Sequence, residues 1–136
     1  MNPWNGWEIT HGNGDTLVGP LQTSAGAATI QSVGPWLTVS VGDDAILRAT
    51  IPGRYRWLDV GGSAVRLVLP PIPDVDDRRW LALPRIKRSR IVLARVGGKP
   101  LAPELTDDDS CMFRLPPSAE AQPFELFTEW QGAERP

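Results

Sequence analysis

The sequence predicts an all-β protein, a single antiparallel β-sandwich or small barrel, with a jelly roll among the options and with proline-rich connectors and extended terminal arms. Three observations predict this class. The 136 residues include 14 prolines and 13 glycines, which leaves little room for a helix of about ten residues, because proline removes an amide donor and clashes with the preceding turn. Short runs rich in β-branched and aromatic residues lie between these breaks. Several runs alternate apolar and polar residues, as a half-buried antiparallel strand requires.

The predicted strands follow one another along most of the chain. The clearest are residues 36–41, 45–51, 55–60, 64–69 and 90–96, and the weaker ones are residues 16–21, 28–33, 111–115 and 124–130. In residues 36–41 the apolar side chains at 37, 39 and 41 share one face, and those at 38 and 40 share the other with Trp36. Gly42-Asp43-Asp44, Pro52-Gly53 and Gly61-Gly62-Ser63 supply short turns. Strands at ~8–12-residue spacing are typical of a sandwich or small barrel.

Two irregular connectors separate these strands. Residues 70–77 contain three prolines and read as a stiff, extended connector. Residues 100–110 form an acidic loop. Residues 118–121 are the one place where a short helix is predicted, and Pro123 would end it.

The length of the chain predicts one domain. A fold of 136 residues buries roughly two thirds of the surface that its unfolded chain exposes. We therefore expect a single β domain over residues 1–136, with an N-terminal arm at residues 1–15 and a C-terminal arm or edge strand at residues 116–136.

The sequence shows no sign of a secretory or membrane pathway. Cys111 is the only cysteine, so an intramolecular disulfide is excluded. The first residues have neither a basic stretch nor an apolar stretch of the kind found in signal peptides, and no window approaches the ~20 apolar residues of a membrane helix. We expect a soluble protein, located in a virion or in the cytoplasm, with no membrane partner.

Charge is strongly segregated along the chain. Residues 1–47 carry four acids and no lysine or arginine, and residues 48–77 carry four charges of each sign. Residues 78–99 carry eight basic residues and no acid, whereas residues 100–136 carry eight acids and two bases. A net charge of −2 therefore conceals one basic and one acidic segment.

Two interpretations of the basic segment remain open at this stage. It could form a surface for an acidic partner, which would be a protein, a nucleic acid or a lipid headgroup. Alternatively, it could pair beside the acidic C-terminal strand, where opposite charges across strands are mildly stabilising. Nucleic acid is the less favoured partner, because the domain is acidic overall and Trp80 is the only aromatic residue in the basic segment.

No residue pattern predicts catalysis, a cofactor or a metal site. His11 is the only histidine and is expected in an exposed loop, which removes most histidine-based schemes. Cys111 is expected in a buried strand, and the neighbouring Asp107, Asp108 and Asp109 would raise its pKa. The clusters at residues 74–77 and 107–109 lack the spacing of an EF-hand and are expected to be solvated.

Five of the six tryptophans fall into two groups. Trp36, Trp57 and Trp80 lie in or beside predicted strands and are expected in the core. Trp4 and Trp7 flank Asn5-Gly6 near the N-terminus, where three roles remain open: a sugar-stacking platform, an anchor in a neighbouring subunit, or a cover over an open end of the sandwich.

The general character of the chain resembles small accessory structural proteins of tailed bacteriophages and related particles, such as head-decoration, spike or tail components. The shared features are a cysteine-poor all-β domain, proline-rich connectors, segregated charge and apolar terminal arms. The resemblance implies a structural role and no particular site residues.

We therefore expect a non-enzymatic assembly protein that binds protein subunits of a larger assembly and forms homo-oligomers. Glu125, Glu129 and Trp130 of the C-terminal arm are expected to dock on neighbouring subunits. The expected partner-binding residues are Trp4, Trp7, Arg85, Lys87, Arg88, Arg90 and Trp130. The alternative is a carbohydrate-binding β-sandwich module, in which exposed tryptophans stack on sugar rings.

Overall fold

The computed structural model describes residues 8–12, 15–18, 22–23, 26–60, 64–104, 106 and 110–128. These residues form two antiparallel sheets that pack face to face around one apolar core. The prediction of an all-β sandwich is confirmed, and the sheets do not close into a barrel.

The described residues contain thirteen strands. In chain order they are β1 (Glu8–His11), β2 (Thr16–Val18), β3 (Gln22–Thr23), β4 (Gly26–Val33), β5 (Trp36–Val41), β6 (Asp44–Ala49), β7 (Gly53–Val60), β8 (Ala64–Leu69), β9 (Trp80–Lys87), β10 (Leu93–Val96), β11 (Lys99–Pro100), β12 (Ser110–Arg114) and β13 (Gln122–Phe127). Short 3₁₀ turns at Asp76–Arg78 and Arg88–Arg90 precede and follow β9. Within the described ranges, no helix is long and apolar enough to cross a membrane.

The strands divide into a seven-stranded and a six-stranded sheet. The seven-stranded sheet has the order β11-β10-β13-β8-β7-β1-β2, and the six-stranded sheet has the order β12-β9-β6-β5-β4-β3. The segment predicted as a C-terminal arm or edge strand thus contains β13, which is paired on both sides, with β10 and β8. The segment predicted as an N-terminal arm likewise contains β1, which pairs with β7 and β2.

Strand alternation places the core where the sequence predicts it. Leu37, Val39 and Val41 of β5 are buried, whereas Thr38 and Ser40 lie on the outer face. The two sheets meet through large buried side chains, and the Phe113 ring of β12 lies edge-on to the Phe124 ring of β13 with 5.3 Å between the ring centroids. The core therefore joins the two sheets directly.

Residues 118–121 do not form the predicted helix. Ser118 instead makes an isolated antiparallel bridge with Ile72, with hydrogen bonds of 2.8 and 2.9 Å between their backbone groups. The Ser118 hydroxyl also accepts a hydrogen bond from the Glu120 amide at 3.3 Å. A serine that bonds nearby backbone in this way competes with helix formation, so the segment remains irregular.

A pronounced bulge interrupts the pairing of β9 with β12. The partners change from Ala82–Met112 to Lys87–Ser110, so β9 advances by five residues while β12 advances by two. Pro84, which has no amide hydrogen to donate to a neighbouring strand, lies inside this bulge. The second half of β9 therefore stands away from the regular sheet before the turn at Arg88–Arg90 leads to β10 in the other sheet.

Candidate functional site

Three of the predicted partner-binding cations lie together on the segment that crosses from one sheet to the other. Arg85, Lys87 and Arg90 are exposed, and none of them makes an ion pair in the described part of the chain. We call these three residues the basic ridge. Arg88 differs, because it is half-buried and already takes part in an interaction within the chain.

The local sequence explains why the ridge projects. Ile86 and Ile91 are partly buried and pack against the core, whereas Arg85, Lys87 and Arg90 beside them face solvent. Two backbone hydrogen bonds hold the far end of the segment, from the Ile91 amide to the Arg88 carbonyl at 3.2 Å and from the Val92 amide to the Phe127 carbonyl at 2.8 Å. The ridge is therefore an anchored part of the fold.

Exposed apolar side chains continue directly from the ridge. Val92 is 47% exposed and Leu93 is 37% exposed. Arginine beside exposed apolar surface is a composition that protein–protein interfaces favour. The segment from Arg85 to Leu93 therefore combines charge with surface that a partner could bury.

Arg95, which also belongs to the basic segment, is already paired inside the protein. Arg95 of β10 lies in register with Glu125 of β13, and its Nε donates to Glu125 Oε1 at 2.7 Å. Arg66 of β8 contacts Glu125 Oε2 at 3.4 Å from the other side. The carboxylate of Glu125, which was expected to dock on a neighbouring subunit, thus lies between two arginines of its own sheet.

Four residues of the predicted docking surface fall outside the described residues. These are Trp4, Trp7, Glu129 and Trp130.

His11 is a structural link and not the exposed loop residue that the sequence predicts. Its side chain is 10% exposed, and its Nδ1 lies 3.2 Å from a carboxylate oxygen of Asp15. Its Nε2 donates to the Pro35 carbonyl at 2.8 Å. Because Pro35 lies in the turn between β4 and β5, the imidazole ties the seven-stranded sheet to the six-stranded sheet.

Cys111 lies in β12 with no exposed surface, which confirms the prediction of a buried strand cysteine. Burial raises the pKa of its thiol to about 12, because an apolar surrounding disfavours the thiolate. The thiolate is the reactive form, so this environment suits a packing role.

We expect the Cys111 thiol to react with a disulfide reagent at least about a thousandfold more slowly in the native chain than in urea, given native stabilities of about 5–15 kcal/mol. The raised pKa of the Cys111 thiol also makes the stability of the fold depend on pH. Above the ordinary pKa, near 9, the unfolded chain loses the thiol proton first, so stability falls as pH rises from about 9 towards 12. Since the chain has one cysteine, absorbance of the released reagent anion reports this site alone. Rapid labelling in native buffer would contradict the assignment.

The described acidic clusters show no arrangement for a cation. Asp76 accepts a hydrogen bond from Arg79 at 2.5 Å, and this bond, with the charges of Arg79 and Arg114, lowers the pKa of the carboxyl. Asp74 and Asp77 are exposed. Among the described residues no three histidine, cysteine or acidic groups lie close enough to hold a metal ion, while residues 107–109 lie outside the described chain.

Two open grooves lie beside the proline-rich connector. The first is lined by Pro52, Pro71, Ile72, Pro73, Asp74, Pro117, Ser118 and Ala119, and the second by Glu8, Gly53, Arg54, Arg56, Val68, Pro70, Pro71 and Ala121. Each contains one carboxylate among its described lining residues. Neither therefore presents the pair of carboxylates that glycoside hydrolysis uses.

Trp36 and Trp80 are half-buried on the outer face of the six-stranded sheet, so the prediction that they lie in the core is wrong. Strand parity explains their position, since Trp36 shares a face with Thr38 and Ser40. The Arg48 guanidinium lies over the Trp36 ring and that of Arg114 over the Trp80 ring, each 4.7 Å from the ring centroid. The side chain of Trp57 is outside the description.

Comparison with known proteins finds no matching family model, no matching curated protein and no matching solved structure. The functional inference therefore depends on the residues and their arrangement.

Proposed function

We propose that this protein is a non-enzymatic assembly module, an accessory component of a larger particle such as a phage virion, in which the basic ridge of one copy binds an acidic surface of a second copy. The observation that carries the proposal is the basic ridge itself. Arg85, Lys87 and Arg90 project from an anchored segment and make no ion pair in the described part of the chain.

A protein partner suits this surface better than an isolated counter-ion does. Arginine is enriched at protein–protein interfaces, where its planar guanidinium binds carboxylates through two parallel hydrogen bonds. Val92 and Leu93 add apolar area next to the charges. Charge then steers the encounter, and burial of the apolar side chains slows dissociation.

The chain itself carries the complementary charge. Residues 100–136 hold eight acids against two bases, and Glu104 and Glu120 are exposed in the described part of this segment. A second copy can therefore supply the acidic surface. In this proposal Trp4, Trp7 and Trp130, which lie outside the described residues, act as additional apolar anchors for the partner.

Sedimentation velocity of the full chain tests the proposal. The double variant Arg85→Ser with Arg90→Ser is expected to weaken self-association at least about tenfold, as loss of interface arginines commonly does. Its melting temperature should stay within about 2 °C of the parent, because substitutions of exposed side chains have small effects on stability. Association should also weaken as ionic strength rises, because salt screens exposed charges.

The matched control is Arg54→Ser with Arg56→Ser, which removes two exposed arginines from β7 and leaves the ridge intact. It should associate like the parent chain. Equal weakening by both double variants would show an effect of net charge alone and would contradict the proposal. A chain that sediments as a monomer at every concentration and salt would contradict it as well.

A further inference from the structure

The outer face of the six-stranded sheet carries a second surface, separate from the basic ridge. It is formed by Trp36, Arg48, Trp80 and Arg114, which we call the tryptophan platform. These residues come from four strands that are neighbours in the sheet, β5, β6, β9 and β12. Both tryptophans are half-buried and both arginines are exposed.

Register places the two indoles in one row across the sheet. Leu37 pairs with Ala49, so the preceding Trp36 faces Thr50. The Thr50 amide donates to the Trp80 carbonyl at 3.1 Å, and the Thr50 hydroxyl accepts from the Trp80 amide at 3.0 Å. Thr50 is 1% exposed. Since neighbouring strands are about 4.8 Å apart, the backbones of Trp36 and Trp80 are roughly 10 Å apart.

An arginine lies near each end of this row of tryptophans. Arg114 lies in register with Trp80, one strand further along, and Arg48 stacks on Trp36 at the other end. Each guanidinium carbon lies 4.7 Å from an indole centroid, and a guanidinium in a cation–π contact still has N–H donors for a planar anion. Neither arginine forms a salt bridge within the described residues. Asp76, the acid that responds to the charge of Arg114, is already hydrogen-bonded to Arg79.

The remainder of this face is regular and, apart from Val33, polar. The β4–β5 ladder runs without interruption from Ala28–Val41 to Val33–Trp36. Its outward side chains beside Trp36 are, by strand parity, Thr29, Gln31, Val33, Thr38 and Ser40, of which Val33 is apolar and 62% exposed. Hydroxyl and amide groups of this kind exchange hydrogen bonds with hydroxyl-rich ligands.

We propose that the tryptophan platform binds an acidic polysaccharide, with pyranose rings packed on the exposed parts of Trp36 and Trp80 and uronate carboxylates bound by Arg48 and Arg114. Charge complementarity selects an anionic ligand, and the two separated indoles select one that is long and carries apolar ring faces. The hydroxyl and amide groups on β4 and β5 suit a sugar chain. Nucleic acid is disfavoured, because phosphate binding calls for a denser set of cations than these two arginines supply.

Calorimetric titration of the full chain with oligogalacturonate, compared with a neutral cello-oligosaccharide of the same length, tests this site. The acidic ligand is expected to bind at least about tenfold more tightly, because charge-assisted hydrogen bonds to guanidinium are lost with the neutral one. Trp80→Ala is expected to weaken oligogalacturonate binding about tenfold. Arg48→Ser with Arg114→Ser should weaken it at least as much, and these exposed positions keep the test valid if Trp80→Ala impairs folding.

Two control variants separate this site from the rest of the molecule. Arg54→Ser with Arg56→Ser lies on the other sheet and should bind oligogalacturonate like the parent. The ridge variant Arg85→Ser with Arg90→Ser should also bind normally, so the platform and the assembly proposal can fail independently. Absence of oligogalacturonate binding, equal binding of the neutral ligand, or tighter binding of an oligothymidylate would each overturn the inference.

Discussion

Replacement of Phe124 by alanine is expected to lower the free energy of unfolding by about 3–5 kcal/mol, the range for a large aromatic side chain in a packed core. Phe124 has no exposed surface, and its ring meets that of Phe113 at an interplanar angle of 68°. The two rings belong to different sheets, so the truncation leaves a cavity at the interface between the sheets. Because small domains are stable by only about 5–15 kcal/mol, this single change should approach the limit of folding.

Urea denaturation followed by tryptophan fluorescence measures the effect. Phe124→Leu is the matched control and should cost less, because it retains most of the buried volume. A double-mutant cycle with Phe113→Ala should give a coupling of about 0.5–1.5 kcal/mol for an aromatic pair. A loss below about 1 kcal/mol for Phe124→Ala would show that the sheets do not pack through this pair.

Gly53→Ala is expected to destabilise the protein by about 2–6 kcal/mol, since backbone strain and overpacking each contribute about 1–3 kcal/mol. Gly53 begins β7 with a φ of 128°, a conformation that side chains other than glycine rarely adopt. A β-carbon there would lie 2.5 Å from the β-carbon of Pro70. The side chain of Pro70 is a rigid ring and is buried. It therefore cannot rotate away from the added β-carbon. A shift of the backbone at residue 53 that relieves this contact would also move His11, which pairs with Gly53 in the neighbouring strand β1.

Gly98→Ala is the matched control for Gly53→Ala. Gly98 also has a positive φ, of 80°, but no atom lies within 4 Å of the added β-carbon. Gly98→Ala should therefore lower the free energy of unfolding by only about 1–2 kcal/mol, through backbone strain. The difference between the urea unfolding midpoints of the Gly53→Ala and Gly98→Ala variants measures the destabilisation caused by the clash with Pro70. Equal losses would mean that the clash is relieved and that strain alone accounts for both.

Local alternation made several strands predictable. The strand predicted at residues 36–41 has the observed bounds, because apolar and polar side chains alternate from Leu37 to Val41. The sequence does not predict strand β9. Pro84 and the neighbouring charges lack the pattern of a regular strand, and the bulge that accommodates them depends on pairing with β12. The apolar residues Trp80, Leu81 and Leu83 before the proline are typical of a strand, but this run is too short to predict β9 by itself.

The basic segment shows how tertiary pairing decides between interpretations that sequence leaves open. Arg95 falls on β10, and β10 lies beside β13, so this arginine meets Glu125. Arg85 and Arg90 belong to the same run of charge but lie in the bulge and the crossover, and neither forms an ion pair with a described residue. One run of cations is therefore divided into an internal ion pair and an exposed ridge.

The amino-acid sequence alone determined the all-β class, the inward faces of the alternating strands and the burial of Cys111, because each follows from local spacing and hydrophobicity. Only the tertiary structure decided that β13 lies between β10 and β8, that His11 links the two sheets, and that Trp36 and Trp80 lie on an outer face. These outcomes depend on contacts between residues distant in sequence. The hydrophobicity of tryptophan favours burial, but the direction of its side chain is set by strand parity and by the partner that each strand finds.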